Sequence, residues 1–148
     1  MYTNILIPTD GSELSTQAGS RAVELAKTLK AKVTIVLVSP TFRQLMDEGF
    51  MGPMVNASQR DWEEAVTTRA NKVLDAVMIH AKAAGVTGET LHVFRDAPYL
   101  AIIEAATQKG CDLIVMGSHG YGGFKQWVLG SETTRVLSHS KIPVLVYR

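Results

Sequence analysis

The stretch Lys32-Val-Thr-Ile-Val-Leu-Val38 limits the fold more than any other. It is β-branched and nearly all apolar. A strand with one wet face alternates polar and apolar residues, and this one does not. It therefore reads as a strand covered on both faces, which is the condition of a parallel sheet with helices above and below. The segments around it supply those layers. Asn4-Ile-Leu-Ile-Pro8 is a short apolar run that ends in turn chemistry, Thr9-Asp-Gly-Ser12. From Glu13 to about Leu29, the residues Leu14, Ala18, Ala22, Leu25 and Leu29 recur at helical spacing. Asp61 to Ala84 carries Trp62, Val66, Val73, Val77, Ala81 and Ala84 near one face, and Gly85 is a natural stop.

The remainder repeats the alternation. Glu89 to Phe94 alternates and reads as a strand with one wetter face, suited to a sheet edge. Asp96-Ala-Pro98 opens a helix, with Asp96 as the expected N-cap and Pro98 in the first turn, running to about Lys109 before Gly110. Cys111 to Met116 is a strand, Ser131 to Ser138 a helix, and Ile142 to Tyr147 a final strand with Pro143 near its start. Strands alternating with helices imply a single three-layer α/β/α domain around a parallel sheet, with right-handed crossovers. Residues 41–58 have no clear period. They hold Phe42, Leu45, Met46, Phe50, Met51 and Met54 among glycine and proline breakers. So long a connection is either functional or mobile. Its apolar side chains either cover a ligand or partner, or pack as a satellite cluster beneath the loop.

Composition narrows the function. The net charge is +1 over 148 residues with no block of like charges, which does not suggest a dedicated nucleic-acid binder. The lone Cys111 leaves no internal disulfide pair and no Cys-rich zinc site, and a reducing, cytoplasmic setting is expected. The first residues lack a signal-peptide layout, and no apolar run is long enough to span a bilayer. His80, His92 and His139 show no metal-ligand spacing, so neither a metal set nor a catalytic set is assigned.

In an open parallel sheet, ligands bind outside the carboxyl ends of the strands. The loop Pro8-Thr9-Asp10-Gly11-Ser12 lies at one such end and Val38-Ser39-Pro40 at another. At a third lies a glycine-rich stretch, Gly117-Ser118-His119-Gly120 through Gly130-Ser131, leading into a helix. Glycines let backbone N–H groups approach an anion, and a helix start adds unpaired N–H groups and partial positive charge. The stretch is therefore either a phosphate cradle or a long surface turn. It is not a P-loop, because no Gly-Lys-Ser/Thr follows the glycines, and Lys125 breaks the dinucleotide pattern. A cradle here rests on backbone N–H groups, Ser131, and Lys125 or Ser118. Asp10 is the sharpest polar residue opposite it. A carboxylate there accepts hydrogen bonds from ribose hydroxyls, or it caps the first helix, with Glu13 at capping-box spacing. Neighbouring first and fourth strands would bring Asp10 and Gly117 to face each other across one crevice.

Gly117-x2-Gly120-x9-Gly130-Ser131 resembles the G-x2-G-x9-G-(S/T) signature of the ATP-binding universal stress proteins. Ile5-Leu-Ile-Pro-Thr-Asp-Gly-Ser12 is similar to that family's opening strand and loop, and Leu113 to Gly120 and Ile142 to Val146 to its last third. The resemblance implies five parallel strands in the order 3-2-1-4-5 and a homodimer joined through the strand Ile142–Tyr147. It implies ATP as ligand, with Mg²⁺ or Mn²⁺ held through the phosphates. The residues it assigns to the nucleotide are Pro8, Thr9, Asp10, Val38, Met116, Gly117, Ser118, His119, Gly120, Gly130, Ser131 and Glu132. Among them Asp10 meets the ribose and the Val38 backbone the adenine. Gly120, Gly130, Ser131 and position 132 hold the phosphates. Glu132 departs from the family, where small or apolar residues are common. An inward-pointing carboxylate there would repel phosphate, whereas one turned away would simply complement the helix dipole. The expected function is a nucleotide-dependent stress regulator acting on a protein client, with slow ATPase activity or a nucleotide-free interaction module as alternatives. His119 is expected to be a loop residue with a structural hydrogen bond.

Overall fold

The computed structural model describes residues 1–49, 58–119 and 129–148. The strands are β1 (Asn4–Pro8), β2 (Lys32–Ser39), β3 (Gly88–Phe94), β4 (Leu113–Gly117) and β5 (Val144–Tyr147). The helices are α1 (Glu13–Leu29), α2 (Phe42–Asp47), α3 (Gln59–Ala83), α4 (Pro98–Gln108) and α5 (Ser131–His139). The strands form one five-stranded sheet in the order β3-β2-β1-β4-β5, and every pair is parallel. The expected alternation and strand order are thus observed.

Strand geometry divides the core. Successive side chains of a strand point to opposite faces. Ile5, Ile7, Val33, Ile35, Leu37, Leu113 and Val115 join α1 and α3 on one side. Leu6, Val36, Val38, Ile114 and Met116 join α4 and Val136 of α5 on the other. Ile5, Leu6 and Ile7 are wholly excluded from solvent. This is why β1 and β2 lack alternation. β3, expected as an edge, is an edge strand and is at most half-buried along its length. β5 forms the other edge, with Pro143 immediately before it.

The sequence-based boundaries shift at several points. β4 begins at Leu113 and not Cys111, because the Asp112 carboxylate turns back onto β1. Its oxygens accept from the Thr3 amide at 3.0 and 2.8 Å, the Thr3 hydroxyl at 2.8 Å and the Asn4 amide at 3.1 Å. α2 was not foreseen: Thr41 caps it, its Oγ1 accepting from the Gln44 amide at 3.2 Å. Asp96 does not cap α4; the residue at that position is Ala97, and no side chain of its own segment completes the cap. Asp96 instead accepts from the amide and hydroxyl of Thr41.

The Asp112 clasp makes stability pH-dependent. Partial burial tends to raise its pKa, but the bonds from Asn4 and Thr3 outweigh this, and the net shift is downward. A carboxyl held below its unfolded value stabilises the fold above that value and loses the contribution as pH falls. Asp112→Ala is expected to cost about 1–2 kcal/mol at pH 7, as loss of several partly exposed hydrogen bonds does. Urea denaturation of both proteins should show the difference shrinking as pH drops below the ordinary aspartate value of 3.8.

Candidate functional site: a cleft at the β1/β4 switch point

The chain leaves β1 in opposite directions on either side, toward β2 and toward β4, so the crevice of a doubly wound sheet opens at the end of β1. The loop there is rigidly specified. The Thr9 amide donates to the Val36 carbonyl at 2.9 Å, carrying the ladder one residue past the strand. Thr9 is buried, and its Oγ1 accepts from the Gly11 amide at 3.3 Å and lies 3.2 Å from Ser15 Oγ. Gly11 has φ +80°, a left-handed conformation that glycine adopts without strain. A Cβ on it would also meet Val73 at 3.1 Å.

Asp10 does not cap α1. Ser12 does, its Oγ accepting from the Ser15 amide at 3.2 Å. The capping-box expectation for Asp10 and Glu13 is therefore corrected, and the register is one of Ser12 and Ser15. Asp10 Oδ1 accepts from the Ser12 amide at 2.9 Å in a local turn. Its other oxygen has no hydrogen-bond partner among the described residues. Asp10 lines two cavities at once, and that is its main geometric property.

The first cavity is a narrow cleft between Pro8, Thr9, Asp10 and Ser15 on the β1 side and Met116, Gly117, His119, Glu132 and Thr133 on the β4–α5 side. Asp10 and Gly117 thus face each other, as neighbouring first and fourth strands require. The cleft's far wall is braced by backbone contacts. The Gly130 amide donates to the Ser118 carbonyl at 2.7 Å, the Ser118 amide to Tyr147 O at 2.8 Å, and Thr133 Oγ1 to Gly117 O at 2.9 Å. A Cβ on Gly130 would stand 3.1 Å from Ser118 O and 3.4 Å from His119 Cα. Glycine is needed there so that the start of α5 can lie against the Ser118–His119 backbone. Ser131 begins α5 and is exposed. The first N–H groups of a helix have no partner within it, so the start of α5 contributes partial positive charge to this wall.

Glu132 lies in this wall, but its carboxylate is engaged. Oε2 accepts from the Tyr99 amide at 2.8 Å, and Oε1 meets Arg135 at 3.1 Å. Tyr99 is in the first turn of α4, so Glu132 supplies from another helix the cap that Ala97 cannot. An acidic group at a helix start is favourable, and the arginine offsets its charge. His119 makes the expected local bond, Nδ1 to Ser118 Oγ at 3.1 Å. Its buried Nε2 has no hydrogen-bond partner among the described residues.

The second cavity, about 280 Å³, lies between the end of β2 and α3. Leu37, Val38, Ser39 and Pro40 form one wall, and Trp62, Val66, Arg69, Ala70 and Val73 the other; Leu45 of α2 and Asp10 complete it. Sequence reasoning anticipated Val38 and Asp10 but not the α3 wall, whose apolar stripe read only as core. Ser39 Oγ pairs with His92 Nε2 at 2.8 Å, and burial pushes His92 below its ordinary value. Another groove of about 310 Å³ runs between α1 and α3, with Gly11 of the loop after β1 in its lining. Gly120, Lys125 and Trp127, singled out from the sequence, lie outside the described residues.

Fold and cleft together define a doubly wound α/β domain with a two-part pocket at its topological switch point. The chain belongs to the universal stress protein family: the model for that family matches residues 1–148. It is 34% identical to universal stress protein MJ0531 of Methanocaldococcus jannaschii, across 100% of this chain and 83% of the relative. Its structure is similar to that of MJ0577 from the same organism, with a TM-score of 0.79 at 27% identity over 99% of this chain and 95% of the other. It is also similar to a universal stress protein solved in complex with cAMP, with a TM-score of 0.67 at 26% identity over 99% and 97% of the two chains.

The Glu132 contact predicts a specific defect. Glu132→Ala should lower stability by about 1 kcal/mol, the usual cost of a lost cap, shifting the urea midpoint with little change in slope. Glu132→Gln, which keeps an acceptor for the Tyr99 amide, should recover most of it.

Proposed function

We propose that this protein is an ATP-binding member of its family, a regulator whose nucleotide occupancy alters its dimer or loop state. The observation that carries the reading is Asp10, whose carboxylate stands where the two cavities meet. Ribose hydroxyls donate to its free oxygen. The base enters the second cavity against the Val38 backbone. The phosphates run along Met116–Gly117 to the start of α5, with Ser118, Gly120, Gly130, Ser131 and the Glu132 backbone as the cradle and Pro8 and Thr9 as the floor. The residues present suit such a ligand: a mostly apolar slot that also holds Arg69, a carboxylate, then a helix start preceded by Gly130. Glu132 is compatible with phosphate because its charge is committed to Tyr99 and Arg135. No group of three His, Cys, Asp or Glu capable of holding a metal occurs among the described residues. Mg²⁺ or Mn²⁺, which the family resemblance implies, is read as arriving on the phosphate oxygens. A cAMP complex of a relative supports a nucleotide in this fold. The protein is read as cytoplasmic and as acting on a protein client; among the described residues no helix is long and apolar enough to cross a membrane.

Slow hydrolysis is the second reading, favoured by His119, a residue of the cleft lining whose buried Nε2 has no partner among the described residues. Thermal melting with ATP, ADP, AMP and GTP, each with and without Mg²⁺, tests both. ATP at 100 times its Kd should stabilise the protein by about 2.7 kcal/mol, and no shift at millimolar ATP sinks the nucleotide reading. Asp10→Ala should weaken ATP roughly 10- to 100-fold, the value of one or two hydrogen bonds to a charged group. Phosphate release over hours that disappears in His119→Ala, with binding intact, would assign turnover to that residue.

The family resemblance also carries a homodimer through the strand predicted at Ile142–Tyr147. β5 supports it: an edge strand leaves unpaired backbone groups, and Leu145 on it is 48% exposed. Sedimentation of the wild type should give a dimer, and Leu145→Asp a monomer. A monomeric wild type at micromolar concentration would refute this.

A further inference from the structure

α2 is six residues long and buries none of them. A helix this short is not stable alone. Among the described residues, two contacts beside the second cavity tie it to the body of the domain. Phe42 packs against Trp62 with ring centroids 5.6 Å apart, and Trp62 packs in turn against Phe94 at 5.8 Å. At the other contact, Thr41 donates its amide to Asp96 Oδ1 at 3.1 Å and its hydroxyl to the same oxygen. The hydroxyl oxygen then accepts from the Gln44 amide. A hydroxyl has one proton, and Asp96 takes it, so the lone pairs of Thr41 are left to face the start of α2. Asp96 thereby orients the cap across 55 residues of chain. Its own base is firm, since the Arg95 amide donates to Ser39 O at 2.9 Å and ties the ends of β2 and β3. What this arrangement positions is Leu45, which α2 contributes to the cavity wall.

We infer that the Thr41–Asp96 clasp holds Leu45 over the base of the bound nucleotide, so that α2 forms an apolar wall excluding water from one face of the ring. Leu45 touches the base; Thr41 and Asp96 are positioning residues. The inference rests on the nucleotide reading and adds to it the element that sets base affinity. It also accounts for an exposed carboxylate that caps no helix of its own.

Calorimetric titration of ATP, adenosine and inorganic tripolyphosphate separates the possibilities. Leu45→Ala, Asp96→Ala and Thr41→Val should each weaken ATP and adenosine by the same factor, about 5- to 10-fold, as loss of part of an apolar contact does. Tripolyphosphate, which lacks a base, should be unaffected. Asp96→Asn and Thr41→Ser, which keep the acceptor and the hydroxyl, should stay within about twofold of wild type. The Asp96→Ala/Thr41→Val double variant should be no worse than either single change, because both break one clasp. Melting curves should remain close to wild type, since α2 lies outside the core. The inference is overturned if Leu45→Ala and Asp96→Ala bind adenosine as the wild type does, or if tripolyphosphate weakens in parallel. If the wild type binds neither ATP nor adenosine, the nucleotide reading falls and this inference with it. That result differs visibly from failure of the variants alone.

Discussion

The two-sided pairing of β1 underlies everything else in the molecule. β1 is hydrogen-bonded to β2 on one side and to β4 on the other, and its central residues are sealed from solvent on both faces. Full burial of a residue such as Ile5, Leu6 or Ile7 is worth about 1.5–3 kcal/mol. The strand cannot slip by one residue without sending these side chains to the wrong layers. With β1 held in register, its C-terminal end is a fixed point. Thr9 continues the ladder to Val36, and Asp10 emerges where the chain reverses direction. The Asp112 clasp secures the opposite end of the same strand.

The cleft inherits its geometry from that strand. One wall is the loop after β1, closed by Thr9, Ser12 and Ser15. The other is the end of β4 together with the start of α5, drawn together by Gly130 and Thr133. The second cavity needs β2 as well, because Val38 and Ser39 reach it only if β2 pairs with β1. Side chains from several parts of the chain therefore converge through backbone pairing. Polar groups in the walls are mostly committed: Thr9 to Ser15, Ser39 to His92, Glu132 to Tyr99 and Arg135. Among the described residues, one oxygen of Asp10, the Nε2 of His119 and the Arg69 guanidinium have no hydrogen-bond partner, and all three residues line the two cavities.

Much of the fold was legible because parallel sheets leave a strong pattern. Continuous apolar runs marked β1, β2 and β4, and helical spacing marked α1 and α3. The three loops of the cleft followed from the rule that ligands bind at the strand ends, whereas the strand order and the individual nucleotide contacts came from a family likeness in the glycine spacing and the opening loop. Local capping was read less well. Asp10 and Asp96 both have residue types that start helices, yet Ser12 caps α1, and α4 is capped by Glu132 from 33 residues away. A capping carboxylate needs only to be near the helix start in space, and proximity in sequence is a poor guide to that. α2 was missed because its stability comes from Asp96 and Trp62, not from its own pattern.

The sequence by itself determined the class of fold. The reason is that the period of buried residues is local, and both-face burial of a strand forces a helical layer on each side. It also determined that the glycine-rich stretch leads into a helix near Ser131. Only the tertiary structure decided what the polar side chains do. Hydrogen bonds are short and directional, so the role of a carboxylate depends on which amide lies within about 3 Å. Asp112 fastens β1, Asp96 holds α2, Glu132 caps α4, and Asp10 lines both cavities. These four acids look alike in sequence and are separated in role by the fold alone.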